Sequence, residues 1–309
     1  MSGTTANADM TVAERFRGCI LGGAIGDAYG SGYENLSAER DDIFYPFGKP
    51  AQRVPDWQIT DDTQLTLATI EAMLQERPVR PGTVAKQFVK HFNKRKLRGL
   101  GASTLKALRE LSAGMHWTQV GRRGEYAAGN GAAMRVAPLA FRAGMTFAEL
   151  RDICIITHHN DEAYVGARCV FIALREIISG NWTGDTDLLE LIIPQLPDTR
   201  VRDRLIEIKD VERLSVAGDL GCDGYVVNSV PLAIAAANRI STLGMEEMFR
   251  QLIDIGGDTD TNCSIAGQIA GTLIGGRGLP KKLTAQLSGL SEYNWITTTI
   301  NALVSSEGW

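Results

Sequence analysis

Hydrophobic side chains recur every three or four residues along almost the whole chain, the spacing of one face of an α-helix. This spacing predicts helices over Val12–Ile25, Asp62–Leu74, Thr83–Asn93, Thr104–Leu111, Ala132–Arg142, Phe147–Ile156, Asp161–Ile178, Asp187–Ile193, Tyr225–Ile240, Met245–Ile253, Thr261–Ile274 and Glu292–Leu303. Asp, Ser or Thr often stands at their starts, and residues such as Gly180, Gly244 and Pro78 mark the ends. Strand-like alternation is scarce, and Asp42–Tyr45 is the one short candidate. The pattern predicts an all-α fold.

Two of the predicted helices are rich in glycine and alanine. Glycines stand at 267, 271 and 275 in one of them, and the run Gly22–Gly26 lies in the other. Such residues let two helix backbones approach closely in a crowded interior. There is no repeat period and no low-complexity linker, so we expect one compact multi-helix domain over residues 12–309, preceded by a polar N-terminal arm over residues 1–11.

Composition and charge exclude several classes of protein. The chain has 309 residues, of which 44% are hydrophobic, and a formal net charge of −4, which gives no general attraction to nucleic acids or anionic membranes. No apolar stretch is long enough for a membrane span, and no secretory signal is visible. The five cysteines are odd in number and form no CxxC pair. We therefore expect reduced core cysteines and a cytoplasmic protein.

Two short acidic clusters carry the strongest chemical signal. Thr60, Asp61 and Asp62 stand in Ile59–Thr63, and a second cluster with Asp258, Asp260 and Thr261 occupies Gly256–Asn262. Each cluster opens a predicted helix and offers hard oxygen donors, which Mg²⁺ and Mn²⁺ prefer. Four carboxylates at one site resist ionising together unless a cation is present. If the clusters meet in space, they predict a hydrolytic site with two divalent metal ions.

The alternative is that both clusters are helix N-caps, since Asp and Thr are favoured there for the hydrogen bond they accept from the backbone. Asp258 and Asp260 are two residues apart, so on an ideal helix they point in very different directions. They reach one ligand only if the backbone before the helix is irregular, which Gly256 and Gly257 allow. The spacing leaves both interpretations open.

Three further elements contain candidate site residues. The glycine-rich run Gly26–Glu34 follows a predicted helix and reads as a mobile loop, in which Glu34 is a candidate metal ligand or general base and Asp27 a hydrogen-bonded structural residue. The turn at Asn130 precedes a helix, where free N–H groups suit phosphate, although a plain turn explains it equally. His158 and its neighbours are either catalytic or a hydrogen-bonded helix junction.

Taken in chain order, these motifs resemble the ADP-ribosyl-glycohydrolase family, which includes the dinitrogenase-reductase-activating glycohydrolase. The matching motifs are the Gly-Asp-Ala-x-Gly loop that ends in Glu34, Thr60–Thr63, Gly129–Gly131 with Met134 and Arg135, Thr157–His158, Gly224–Tyr225 and Gly257–Thr261. The resemblance covers residues 12–275, and the shared order of several motifs makes it specific.

The resemblance implies an all-helical fold with a binuclear Mg²⁺ or Mn²⁺ centre between central helices. The implied metal ligands are Thr60, Asp61, Asp62, Asp258, Asp260 and Thr261. The implied substrate-binding residues are Asn130 and Gly131 along the diphosphate and ribose, together with Met134, His158 at the distal part of the ligand, and Tyr225 stacked on adenine. Glu34 matches the family's loop glutamate beside the metals, and Glu34 and Asp62 are the expected catalytic residues.

One departure from the family pattern concerns the substrate linkage. Some members that act on ADP-ribosyl-arginine carry an acidic residue near the glycine that opens the helix after the basic stretch. Here the segment Arg98–Thr104 contains no carboxylate, and four of residues 94–98 are basic. A solvated helix end explains these cations. The departure leaves open which residue handles the proton.

The sequence therefore predicts a hydrolase that removes ADP-ribose from modified protein side chains, most simply from arginine. A second hypothesis is an immunity protein that binds and blocks an ADP-ribosyltransferase toxin through the arm Met1–Met10, alone or in addition to hydrolysis. A third is a metal-dependent hydrolase of O-linked ADP-ribose, or of another phosphoester or nucleotide substrate, because the donor types suit all of these.

Overall fold

Fifteen α-helices occupy residues 10–34 and 56–309, the parts of the chain that this computed structural model describes. They are α1 (Val12–Gly30), α2 (Asp61–Gln75), α3 (Pro81–Asn93), α4 (Ala102–Ser112), α5 (Phe147–Cys154), α6 (Asp161–Ile178), α7 (Leu188–Ile192), α8 (Arg200–Ile208), α9 (Leu214–Asp219), α10 (Val226–Ala237), α11 (Ile240–Leu243), α12 (Met245–Ile255), α13 (Thr259–Gly278), α14 (Lys281–Ser288) and α15 (Tyr293–Glu307). The predicted all-α class is confirmed.

The extended structure of the described residues is slight. Strand β1 (Arg122–Arg123) pairs in parallel with strand β2 (His158–His159), and the sequence pattern did not reveal this pair. The strand predicted at Asp42–Tyr45 lies outside the described residues. No helix in the described ranges is both long and apolar enough to cross a membrane.

Helix α13 lies at the centre of the molecule, in contact with α1, α2, α6, α10 and α12. Its closest neighbour is α1, and glycines on both helices form the seam between them. A Cβ at Gly22 would lie 2.3 Å from the Gly267 carbonyl oxygen, and one at Gly18 would lie 2.0 Å from that of Gly271. The two backbones are in contact because glycine has no side chain to separate them, as the glycine spacing predicts. This contact brings the C-terminal end of α1 beside the start of α13.

Buried apolar side chains from α1 to α15 form one continuous core, which confirms a single compact domain. Thr11 caps α1 through its side chain, and the sulfur of Met10 would lie 2.6 Å from a Cβ at Gly275, so both residues contact this domain. The remainder of the predicted arm, residues 1–9, lies outside the described residues.

The prediction of an α-helix over Ala132–Arg142 is wrong. Two 3₁₀ helices stand there instead, Asn130–Arg135 and Ala137–Phe141. Pro138 has no N–H to donate to Met134, and the Met134 carbonyl accepts hydrogen bonds from the side chains of Gln268 (2.7 Å) and Thr66 (3.3 Å) instead. Tertiary partners have taken the place of the α-helical hydrogen bond.

The predicted mobile loop after residue 25 is also partly wrong. Helix α1 continues through Gly30, because Gly26 and Gly30 face the α13 backbone rather than solvent. Helices α8, α9 and α14 were not predicted at all. In α8 the signal was present, since Val201, Leu205 and Ile208 are buried at helical spacing within a highly charged segment.

Candidate active site

The two acidic clusters meet where α2 and α13 begin. The Thr261 hydroxyl donates a hydrogen bond of 3.2 Å to Asp62 Oδ2, which joins residues 199 positions apart. Thr60 is the N-cap of α2 and Asp258 is the N-cap of α13. Gly257 has a positive φ of 77°, so the backbone before α13 is irregular, as bringing Asp258 and Asp260 to one site requires.

Two groups of carboxylates result from this junction. Asp27, Asp62 and Asp260 form one, and Glu34, Asp258 and Asp260 form the other; within each group the oxygens lie within 4.8 Å of one another. Asp260 belongs to both groups, so two cations held there would share a ligand. Oxygen donors in this number suit a hard divalent cation such as Mg²⁺ or Mn²⁺.

Electrostatics at the junction favour a bound cation. Burial raises the pKa of Asp61 to about 8 and that of Asp260 to about 11, with neighbouring aspartates adding to both shifts. Burial and the same neighbours also raise the pKa of Asp62, whose Oδ1 is buried without a hydrogen-bond partner. No Lys or Arg of the described residues forms an ion pair with these carboxylates. The donor set and the unpartnered oxygen therefore fit a divalent metal.

Asp27 fixes the start of α2 from behind the junction. Its carboxylate accepts hydrogen bonds from the backbone N–H and the hydroxyl of both Thr60 and Thr63, at distances between 2.5 and 3.1 Å. Burial raises its pKa to about 6, against the lowering effect of these bonds. Asp27 therefore makes its structural contacts to α2 rather than to the loop, and its Oδ1 is the nearer acceptor of the Thr60 hydroxyl, at 2.8 Å against 3.3 Å for Asp62 Oδ2.

A cavity of about 240 Å³ opens above the acidic junction. Its wall is formed by Glu34, Asp61, Asp62, Gly99, Gly101, Ala102, Ser103, Thr104, Gly129, Asn130, Gly131, Met134, His158, Gly224, Asp258, Asp260 and Thr261. Every residue predicted for the site lines this cavity except Thr60 and Tyr225. Larger cavities of about 620 and 530 Å³ lie elsewhere and contain no residue of the two acidic clusters.

Asn130 holds a carboxylate as well as lining the cavity. Its Nδ2 donates to Asp258 Oδ2 at 2.8 Å and lies 2.9 Å from the hydroxyl of Ser229, which in turn donates to Asn262 Oδ1 at 2.7 Å. Asn262 Nδ2 also donates to the Cys222 carbonyl. This buried chain sets the direction of Asp258. Sequence reasoning expected Asn130 to contact substrate and missed its contact with a candidate metal ligand.

His158 reaches the cavity from β2. The ring is 3% exposed, and its Nδ1 lies 2.7 Å from the hydroxyl of Thr157. Burial lowers the pKa of His158 to about 3, helped by the nearby charges of Arg135 and Arg122. His158 is therefore neutral near pH 7 and cannot act as a cation toward an anionic ligand.

Comparison with known proteins identifies the family. The model of the ADP-ribosylglycohydrolase family matches residues 8–308. The chain belongs to this family. It is therefore an enzyme of the ADP-ribosylglycohydrolase type, which confirms the expectation from the motifs.

Named relatives of this family member span nearly all of it. It is 24% identical to ADP-ribosylhydrolase ARH3 of Gallus gallus, over 94% of this chain and 93% of that one. It is 26% identical to ADP-ribosylarginine hydrolase Tri1 of Pseudomonas putida, over 86% of this chain and 72% of that one. A solved structure described as an ADP-ribosylglycohydrolase-related protein complex superposes with a TM-score of 0.71, at 26% identity, over 95% of this chain and 98% of that one.

In this family member, residues of the segment 99–104 line one wall of the cavity. This is the segment that lacks the carboxylate carried by some members that act on ADP-ribosyl-arginine. Gly99 has a positive φ of 76°, and a Cβ there would lie 3.1 Å from Asp61 Oδ1. Ser103 and Thr104, in the first turn of α4, bring hydroxyl groups to the same wall. Sequence reasoning singled out this segment for what it lacks and did not include its hydroxyls among the site residues.

Tyr225 stands at the edge of the site. It is the N-cap of α10, it pairs with Gly129 in an isolated antiparallel bridge, and its neighbour Gly224 lines the cavity. The side chain is half-buried. Its stacking on adenine therefore stays a prediction.

Proposed function

We propose that the protein is a metal-dependent hydrolase that removes ADP-ribose from modified protein side chains, with arginine as the modified residue. One observation carries the proposal: Asp61, Asp62, Asp258 and Asp260 line one cavity, and an oxygen of Asp62 is buried there without a partner. Like charges this close together are stable in their ionised form only beside cations.

The proposed metal ligands are the two clusters at the helix starts. Thr60, Asp61 and Asp62 would hold one side of a binuclear Mg²⁺ or Mn²⁺ centre, and Asp258, Asp260 and Thr261 the other. When bound, such a centre supplies positive charge that orients the ribose hydroxyls and lowers the pKa of an attacking water. Since the Thr60 hydroxyl donates to Asp27, Thr60 contributes an oxygen lone pair rather than its proton.

Two carboxylates are placed to handle protons in the proposed reaction. Glu34 lies at the exposed mouth of the cavity, where burial and then the charge of Asp258 raise its pKa. In our proposal Glu34 accepts a proton as water attacks the anomeric carbon, and Asp62 assists from the buried side. The bond from that carbon to the side-chain nitrogen breaks, the nitrogen takes the bonding electrons and the proton that Glu34 accepted from water, and the carboxylates stabilise the positive charge on the ring.

The remainder of the cavity would hold the ADP-ribose. Gly129, Gly131 and Met134 line part of the cavity, and Ser103 and Thr104 offer hydroxyls from α4. Glycines let the ligand approach the backbone closely. His158 closes the cavity above Gly131, where a Cβ would lie 2.9 Å from the ring.

Arginine linkage is supported by the named activity of Tri1, an ADP-ribosylarginine hydrolase. The absence of a carboxylate in residues 99–104 does not favour it. The blocking of an ADP-ribosyltransferase toxin stays a prediction, because residues 1–9 of the arm lie outside the described residues. Its test is deletion of residues 1–9, which would abolish toxin binding while leaving hydrolysis intact.

The test of the proposed function is release of ADP-ribose from arginine-modified protein and, in parallel, from serine-modified protein. Each reaction is run with Mg²⁺, with Mn²⁺ and with EDTA. We expect metal-dependent release from the arginine conjugate that is lost in Asp258→Asn. Asp152→Asn, an exposed position on α5, is the matched control. Release that persists in EDTA would refute the metal centre, and release from serine alone would refute the arginine linkage.

A further inference from the structure

A buried row of three side chains lies behind the ligand cavity. The guanidinium of Arg135 is fully buried, and its Nη2 donates to the hydroxyl oxygen of Thr157 at 2.9 Å. That hydroxyl lies 2.7 Å from Nδ1 of His158. Neither Arg135 nor Thr157 lines the cavity, whereas His158 does. The row therefore connects a permanent charge in the core to one ring in the site.

The chemistry of the three groups decides where the protons lie. Arginine has only donors, so Thr157 must accept from Arg135. The Thr157 hydroxyl then has one proton left, and His158 Nδ1 is the acceptor within its reach. If Nδ1 carried the proton instead, the buried Thr157 proton would lose its acceptor among the described residues, which is costly. The row thus favours a proton on Nε2.

The Nε2 atom faces the ligand side. A Cβ at Gly129 would lie 3.2 Å from Nε2, and one at Gly131 would lie 3.3 Å from it. Both glycines line the cavity, so a donor on Nε2 stands beside the space that a ligand would enter. Arg135 also donates to the carbonyls of Gly131 and Ile153, the latter at 3.2 Å. One guanidinium thereby fixes both the ring and the cavity wall next to it.

We propose that Arg135 and Thr157 are positioning residues that hold His158 as its neutral Nε2–H tautomer, so that the ring donates a hydrogen bond to an oxygen of the bound ADP-ribose. This inference rests on the proposed function for the identity of the ligand. It assigns His158 to binding rather than to proton transfer, since a fixed donor neither gains nor loses a proton in the reaction.

The chain is well suited to a direct test, because it contains only four histidines. Protein labelled with ¹⁵N-histidine gives long-range ¹H–¹⁵N spectra in which the shifts of the two ring nitrogens report the tautomer. The loss of signals in His158→Gln assigns the ring. In metal-free, ligand-free protein between pH 6 and 8, we expect His158 to be neutral with the proton on Nε2.

The deciding variant is Thr157→Val, which keeps the shape of the side chain and removes its hydroxyl. We expect His158 to lose its fixed tautomer and the affinity for free ADP-ribose, measured by calorimetry with Mg²⁺ present, to fall about tenfold. Thr157→Ser, which keeps the hydroxyl, should restore both. Circular dichroism melting confirms that each variant is folded before it is compared.

The outcomes separate this inference from the proposed function. A proton on Nδ1 in the wild type, or an unchanged tautomer in Thr157→Val, would overturn the positioning role whether or not the enzyme is active. A fixed Nε2–H tautomer with unchanged ADP-ribose affinity in Thr157→Val would overturn the binding role of the ring. Failure of the wild type to bind ADP-ribose would refute the proposed ligand, and with it the hydrogen bond that we assign to His158.

Discussion

The partly buried carboxylate of Glu71 and the buried carboxylates of the acidic junction behave in opposite ways. Glu71 on α2 lies 2.8 Å from His91 Nε2, and accepts hydrogen bonds from Trp295 Nε1 at 2.9 Å and Lys90 Nζ at 3.1 Å. Burial alone would raise its pKa, yet these bonds outweigh burial and lower the pKa to about 2. At the start of the same helix, burial raises the pKa of Asp61 to about 8.

The difference lies in the partners. Glu71 has donors from two other helices, α3 and α15, and its charge is satisfied within the fold. The carboxylates at the acidic junction have one another as neighbours, and Asp62 Oδ1 has no donor at all. A carboxylate that the fold satisfies stabilises the protein, whereas one that the fold leaves unsatisfied is available to a ligand. This contrast supports the proposal that the junction binds a cation, and it does so without reference to any relative.

The largest expected effect comes from removing a charge at the junction. Asp260→Asn should lower turnover on ADP-ribosylated protein by about a thousandfold or more, since Asp260 belongs to both carboxylate groups. The same variant should raise the melting temperature of the metal-free protein by about 5 °C, because Asp260, with its raised pKa, must take up a proton on folding at neutral pH and Asn need not.

The control for Asp260→Asn is Asp152→Asn on the surface of α5, which should change neither quantity. Turnover is measured as released ADP-ribose and stability by calorimetry in EDTA. A metal-free Asp260→Asn protein that melts below the wild type would contradict the view that the junction is strained without cations.

The acidic junction could be predicted from the sequence, whereas the role of Glu71 could not. The two acidic clusters and the glycine seam are visible because each uses local spacing, such as Gly18 and Gly22 one helical turn apart. Glu71 carried no local signal, because its donors come from residues 90, 91 and 295 and only the packed helices bring them together.

The same limit applies within the site. The contact of Asn130 with Asp258 spans 128 residues, and the row from Arg135 to His158 depends on a fully buried arginine. An arginine in a sequence is ordinarily expected at the surface, so composition and periodicity argue against finding it in the core. The sequence pattern cannot predict which polar side chains, distant in sequence, become hydrogen-bond partners in the fold.

The second prediction tests whether the hydrogen bond from Asn130 to Asp258 contributes to metal binding at the junction. Asn130→Ala removes the donor to Asp258 Oδ2 and should weaken the Mg²⁺ dependence of turnover, raising the half-saturating concentration about 10- to 100-fold. Turnover at saturating Mg²⁺ should fall less than in Asp260→Asn. Ser229→Ala, one step further along the chain of hydrogen bonds, should give a smaller shift in the same direction.

An unchanged Mg²⁺ requirement in Asn130→Ala, with weaker binding of ADP-ribose, would contradict this role. It would return Asn130 to the substrate-binding position that the sequence alone predicts. Titration of Mg²⁺ against turnover, and of ADP-ribose by calorimetry, distinguishes the two results.

The third prediction concerns Glu71, the carboxylate whose charge is satisfied by donors within the fold. Glu71→Gln loses the charge that His91, Lys90 and Trp295 surround, and should destabilise the protein by about 1 to 3 kcal/mol. Turnover at saturating substrate should change little, because Glu71 does not line the cavity. Glu247→Gln breaks an exposed pair with Arg250 and should destabilise the protein less than Glu71→Gln does. Urea unfolding with Mg²⁺ present measures both.

The last prediction concerns the dependence of stability on pH, in which Asp61 and Glu71 act with opposite sign. Asp61 has a folded pKa of about 8 against an ordinary value of 3.8, so its contribution to stability is greatest below 3.8 and is lost as pH rises toward 8. Glu71 has a folded pKa of about 2 against 4.5, so its contribution is present above 4.5 and lost as pH falls toward 2.

Metal-free protein should therefore become less stable from pH 5 to pH 8, a range in which Glu71 stays ionised. Bound Mg²⁺ should remove this slope, because a cation keeps the junction carboxylates ionised throughout. Asp260→Asn should reduce the slope in EDTA, and Glu71→Gln should leave it unchanged. Urea unfolding at each pH gives the four stability curves that are compared: the wild type in EDTA, the wild type in Mg²⁺, and each of the two variants in EDTA. Stability that rises with pH in the metal-free wild type would reverse the assignment, since it would mean that the fold itself satisfies the charges at the junction.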